Sequence, residues 1–156
     1  VLTSIKYIFR YAVPAWEALV RYFDKFADDR KDFLDPRMHD NLLVDDESFT
    51  RLRKYFWALS YLSELNLYIG SAIHQWKGSR DTWEKRFPEL DPGSWARAQE
   101  QMTEIDPLCE KLQAIRIRFQ QHHKNITALR DGLFSASAVM ESRASTRLGG
   151  QLDPPQ

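Results

Sequence analysis

Cysteine is nearly missing from this chain, and Cys109 stands alone. No disulfide framework can form within the chain, and no multi-cysteine metal knot is possible. That fits a reducing compartment. Net charge is missing too: 22 Lys and Arg balance 22 Asp and Glu. With no global basic field, nucleic acid is not an expected partner. No stretch suits a bilayer. The longest uncharged run, Leu65 to Trp76, contains Asn66, His74 and Gln75, whereas a spanning helix needs about 18 or more mostly apolar residues. The chain opens on Val1 without a signal-peptide pattern, and Val1 is read as a cut in a longer protein. Familiar catalytic signatures are absent as well. There is no Glu-x-x-His pair for a di-iron bundle, no His-Glu-x-x-His, no Gly-rich phosphate loop and no Gly-x-Ser-x-Gly elbow. No catalytic residue is nominated.

What is present is apolar and aromatic. Hydrophobic residues make up 43% of the chain and aromatics 13%, a composition that folds. At 156 residues the chain is long enough for one real core. Charge is balanced overall but segregated. Asp24 to Glu47 holds nine acids and four bases, a net of −5, while Leu108 to Arg147 holds seven bases and three acids, a net of +4. Solvated surfaces account for both; docking of one segment on the other is the second possibility.

Helical spacing organises the chain. Ile5 to Ala12 suits helix or strand. Val13-Pro14 interrupts it, and Pro is at home in a first turn, so a helix is expected to begin there. Trp16, Leu19, Tyr22, Phe23 and Phe26 continue it, and the pattern fades at Asp28-Asp29-Arg30. Asp35-Pro36 marks an irregular link. A second helix is predicted from Glu47 to Trp76, with Leu52, Tyr55, Leu59, Leu62, Ile69, Ile73 and Trp76 on one face, and Phe56 and Leu65 widening it. Asp45 or Asp46 suits its cap. Gly78-Ser79 is expected to end it, and Asp81 to Pro92 to be a connector pinned by Trp83 and Phe87. Ser94 then caps a third helix, which Pro107 either kinks or restarts, with Asp106 as the new cap.

Beyond Pro107 the apolar residues alternate by four and three: Leu108, Leu112, Ile115, Phe119, His122, Ile126, Leu129, Leu133, Ala136 and Met140. More than four heptads of seam positions predict a long helix in a supercoiled bundle. The seam can pair within the chain or between copies, and periodicity does not choose. The predicted fold is therefore all-α, with three main helices in a bundle. One helical domain covers 1–149, with a stalk-like heptad helix over 108–147. Residues 150–156, after Gly149-Gly150, read as a frayed tail.

A few residues carry possible chemistry. His122 alone breaks the apolar seam. In a symmetric bundle it would form a ring of imidazoles, sensitive to pH or metal; otherwise it is a hydrogen-bonded buried histidine or one tilted outward. His123 points about 100° away, so the two cannot easily share an ion. Asp35 and His39 meet only if their turn is helical, and Pro36 favours a cap or loop. Asp45, Asp46 and Glu47 are hard oxygen ligands of the sort Mg²⁺ takes, although acids before a helix also serve as caps. Trp57, His74 and Trp76 share a helix and could line an apolar pocket, with core packing the simpler use. Asn125-Ile126-Thr127 spells a glycosylation site in mid-helix and is read as chance.

The segment Ala128-Leu129-Arg130-Asp131-Gly132-Leu133-Phe134-Ser135, running on to Arg143 and through Ala144-Ser145-Thr146-Arg147-Leu148-Gly149, resembles the juxtamembrane stalk of fungal CorA-like Mg²⁺-transporter proteins. Asp35 to Asp46 and the Arg53-Lys54-Tyr55-Phe56-Trp57 run within Phe49 to Trp57 resemble the same family, so the likeness covers about Tyr7 to Gly149. The resemblance implies the cytosolic helical region of a transporter whose stalk helices, usually five, gather about an axis and lead into a membrane helix. It implies Mg²⁺ as the relevant ion, with Asp45, Asp46 and Glu47 the acids that would feel it. The chain departs from the family after Arg147-Leu148-Gly149: it ends Gly150-Gln151-Leu152-Asp153-Pro154-Pro155-Gln156, with neither a span nor the Gly-Met-Asn signature of the ion entrance. Two functions follow as expectations. One is a stalk portion acting in assembly and regulation, on the cytoplasmic side of a membrane if the native chain continues beyond Gln156. The other is a stand-alone cytoplasmic relative that binds or transforms a hydrophobic small molecule. A plain oligomerisation module, self-associating through the heptad helix, is a third.

Overall fold

A computed structural model describes residues 1–26, 45, 48–86 and 92–149. They form three helices: α1 (Leu2–Phe26), α2 (Thr50–Arg86) and α3 (Pro92–Gly149). The fold is an all-α three-helix bundle. Both shorter helices pack on α3. Thr3 meets Gln101 and Asp24 meets Arg118, so α1 runs parallel to α3. Trp76 meets Asp106 and Phe56 meets Phe134, so α2 runs antiparallel to it.

α1 begins well before Pro14 and passes through it. The expected start at Pro14 is therefore corrected. Phe9, Val13, Val20 and Phe23 are buried, with Trp16 packed against them, so the apolar stripe keeps its register on both sides of the proline. Pro14 and Arg10, whose carbonyl loses its N–H partner, are both exposed, and water can take that carbonyl. Burying the stripe outweighs a proline penalty of about 3 kcal/mol.

The same physics overrides the expected breaks in α2 and α3. Gly78-Ser79 does not end α2, which runs on to Arg86. Trp83 packs edge-on against Trp76 at 6.1 Å, and the pairs Arg80–Glu84 and Asp81–Lys85 brace the added turns. Most of the predicted connector is therefore helix; Phe87 lies outside the described residues. Nor does Ser94 cap α3, which starts at Pro92. The proline supplies a preset first-turn φ. Pro107 does not restart the helix: α3 is continuous across it, with Pro107 and Thr103 both on the exposed side. α2 begins at Thr50 and not at the expected Glu47, yet one of the two expected caps still reaches its first turn. Asp45 accepts the backbone N–H groups of Arg51 (3.1 Å) and Leu52 (2.9 Å).

The core fills the space between the helices. Phe23, Phe119, Leu62, Ile69, Met102, Ile105, Ile126 and Val20 have essentially no exposed surface. Each such side chain stabilises the fold by about 1.5–3 kcal/mol relative to exposure. Phe23 is the hub of the aromatic packing between helices, meeting Phe119 edge-on at 6.1 Å and Tyr61 stacked at 6.4 Å.

Candidate functional site

The heptad seam of α3 has two fates. Leu112, Ile115, Phe119, His122, Ile126 and Leu133 are buried by α1 and α2, and Leu108 and Leu129 are half-buried beside them. Up to Leu133, then, the seam pairs within the chain. From Phe134 to Arg147, none of the described side chains of α3 is buried. Ala136 is half-covered, and Val139 and Met140 are 50% and 51% exposed. About 24 Å of helix remains beyond Leu133. Ala136, Val139, Met140 and Ala144 share one face of it with Arg143 and Arg147.

His122 lies in the buried part, 8% exposed. Its Nε2 is 3.0 Å from Asp24 Oδ1 at the end of α1. Arg118, one turn earlier on α3, reaches both oxygens of the same carboxylate at 2.8 and 2.7 Å. The carboxylate can only accept from the neutral ring, so Nε2 carries the proton and Nδ1 is the bare lone pair. That Nδ1 is buried with no partner. Burial pushes the His122 pKa below 6.5, Asp24 opposes the shift, and Arg118 adds to it. The residue is thus a buried, singly hydrogen-bonded histidine tying α1 to α3, the simpler of the two uses a seam histidine can have within one chain. Asp24 opens the acidic segment and Arg118 belongs to the basic one, so the charge partition is joined at this point.

A second polar contact crosses the far end of the bundle. Trp76 donates its indole N–H to Asp106 at 3.2 Å, and Arg80 pairs with the same carboxylate at 2.5 Å. Asp106, expected as a cap, instead locks α2 to α3.

The remaining candidates are dispersed. Asp45 has both carboxylate oxygens engaged by backbone N–H groups; Asp46 and Glu47, like Asp35 and His39, lie outside the described residues. Among the described residues, no group of three or more His, Cys, Asp or Glu is placed to hold a metal ion. Trp57, His74 and Trp76 are not brought together. Trp57 and Trp76 are about 28 Å apart along α2. Trp57 stacks on Tyr61 at 5.5 Å and stays half exposed, His74 is exposed, and Trp76 is buried against Phe9. Trp76 borders a groove of about 290 Å³ between α1 and α2, open to solvent, with Ile5, Ile8 and Phe9. Cys109 is buried, which raises its thiol pKa. The partners Asp24 and Asp106 were hidden from sequence reasoning, because pairing across 98 and 30 residues depends on helix register. The one available signal was a polar residue in an apolar stripe.

The fold and these contacts define a helical bundle that braces one long helix. No family model, curated protein or solved structure matches the chain.

Proposed function

We propose that this chain is the cytosolic, stalk-bearing portion of a CorA-like divalent-cation transporter, working through assembly and regulation and not through catalysis. One observation carries the reading: the heptad seam is covered within the chain as far as Leu133 and then runs on uncovered through Ala136 and Met140. A helix that only needed to complete a three-helix body would stop where its neighbours stop. An apolar face continuing for several turns, with Arg143 and Arg147 beside it, suits packing against equivalent helices near a membrane surface. The residues that resemble the family's stalk occupy this same end of α3. The described helices include none long and apolar enough to cross a membrane, so conduction would belong to chain outside them. Divalent ions would be the cargo of the whole transporter.

The alternative, a soluble relative that takes a hydrophobic small molecule, draws on the groove beside Trp76. The two separate in source cells. An antibody against this chain should detect, in the membrane fraction, a band clearly larger than 18.4 kDa. A soluble band near 18.4 kDa would overturn the transporter reading and turn attention to that groove.

A further inference from the structure

α1 and α2 each pack on α3 far more than on each other, so the side of this pair turned away from α3 is left to solvent. That side is aromatic. Ile8, Tyr11 and Tyr22 of α1 are exposed on it, as are Trp57, Tyr61 and Tyr68 of α2. Two contacts join the rows into one face. Tyr22 meets Trp57 edge-on at 6.5 Å towards one end. Ile8 borders the α1–α2 groove with Ala72 and Gln75 towards the other. Helical spacing fills the interval. Tyr11 to Tyr22 and Trp57 to Tyr68 are each about three turns, so each pair shares a side. Ala15 and Ala18 lie between the tyrosines of α1 at the same spacing. From Ile8 to Tyr22 the face is about 21 Å long. Exposed apolar side chains gathered on this scale mark an interaction surface.

The chemistry of the face suits a lipid surface. Tyr and Trp join an apolar ring to a polar tip, the combination that settles at a membrane–water boundary. A docked helix would instead call for an aliphatic seam, and Ile8 is the one large aliphatic side chain exposed here. Bases frame the Tyr22–Trp57 end. Arg21 and Lys25 flank Tyr22, Arg53 and Lys54 come one turn before Trp57, and all four are exposed. Lys54 lies over the Phe26 ring at 4.5 Å. Within a turn of Tyr22 or Trp57 the one acid among the described residues is Asp24, whose carboxylate is turned to Arg118 and His122 of α3. Glu64, between Tyr61 and Tyr68, is the one acid in the α2 row. The acids from Asp28 to Asp40 lie outside the described residues.

We propose that this α1–α2 face binds an anionic lipid surface, with the Tyr and Trp rings entering the headgroup boundary and Arg21, Lys25, Arg53 and Lys54 drawn to the lipid charges. Rings and bases act together, since neither a few exposed rings nor a few bases alone hold a protein firmly on a bilayer. The face belongs to the body, apart from the end of α3, and does not rest on the transporter reading.

The test is co-sedimentation of the full chain with vesicles of phosphatidylcholine alone and of phosphatidylcholine mixed with phosphatidylserine. The expected result is binding to the mixed vesicles about tenfold tighter or more, weakening as salt rises. Tryptophan emission should shift to the blue on binding, and Trp57→Phe should remove that shift. Arg21→Gln and Lys25→Gln should each weaken binding about fivefold, the scale of one base beside an anionic surface, and Glu64→Gln should tighten it. Tyr11→Ser combined with Tyr68→Ser should weaken it about tenfold; both rings are exposed, so the fold does not depend on them. Lys111→Gln makes the same charge change at an exposed position of α3 and should leave binding unaltered, as should Met140→Asp. Equal binding to the two vesicles, full binding by the double tyrosine variant, or an equal loss in Lys111→Gln would overturn the site. Loss in Met140→Asp would overturn it by placing the lipid contact on the end of α3. No binding to either vesicle would overturn it and leave the face to a protein partner.

Discussion

His122 shows how one buried polar side chain ties stability to pH. Asp24 on α1 and Arg118 on α3 are the charged groups that face it; from α2, Tyr61 and Trp57 pack on Phe23, the ring that also packs on His122. Its folded pKa lies below the 6.5 of the free side chain, chiefly because burial disfavours the charged ring. The unfolded chain therefore takes up the proton first as pH falls. The stability linked to His122 is fully present above pH 6.5, and it is lost as pH drops from there through the lower folded pKa. Urea unfolding of the wild type should show a falling midpoint between pH 7.5 and pH 5.5. His122→Leu, which keeps the Asp24–Arg118 pair and removes the titrating ring, should flatten that fall. An equal slope in the variant would place the acid sensitivity elsewhere. The unpartnered Nδ1 also means that the leucine variant loses only one hydrogen bond of the ring's possible two.

At the scale of the helix, tertiary burial beats local punctuation. Gly78 makes the point in α2. Nothing lies within 4 Å of where its Cβ would be, and its residue sits in an unbroken helix. Gly78→Ala should therefore raise unfolding stability by about 1 kcal/mol, the helix-propensity difference alone, read as a higher urea midpoint at unchanged slope. No gain would mean that α2 frays beyond Trp76. This also explains which parts of the fold were legible in the sequence. The seam positions Leu112, Ile115, Phe119, Ile126 and Leu133 are buried as their spacing predicts, because periodicity reports directly on which face meets a core. Pro14, Gly78 and Pro107 misled, because a breaker acts only on its own turn and the stripe on either side of it continues unbroken. Asp45 was legible as a cap because its partners lie a few residues away. The hydrogen bond from Arg116 to Asn66 was not legible, since only the antiparallel register of α2 on α3 brings residues 50 positions apart into contact.

For the whole molecule the question is where the bundle ends and assembly begins. Among the described residues, Phe134 to Arg147 add no buried side chain to the body, although Phe134 packs edge-on against Phe56 at 6.4 Å. A chain cut after Ser135 should therefore keep its thermal midpoint within about 2–4 °C of the full chain, the shift that roughly 1 kcal/mol produces in a domain of this size. Sedimentation should separate the two. The full chain is expected to associate as its concentration rises, because the Ala136, Val139 and Met140 face is an unfinished seam. The shortened chain, and the full chain carrying Met140→Asp, should remain monomeric. An aspartate at a seam position leaves an unpaired charge in any helix–helix interface, and so works against association without touching the body. Association that survives both changes would move the interface onto the body and remove the main support for the stalk. A large fall in thermal midpoint on shortening would show instead that the end of α3 belongs to the core. The contacts at Asp24 and Asp106 fix one long helix to α1 and α2 at two levels; were copies to assemble through the end of α3, as proposed, a change in their packing would reach the body through those two ties.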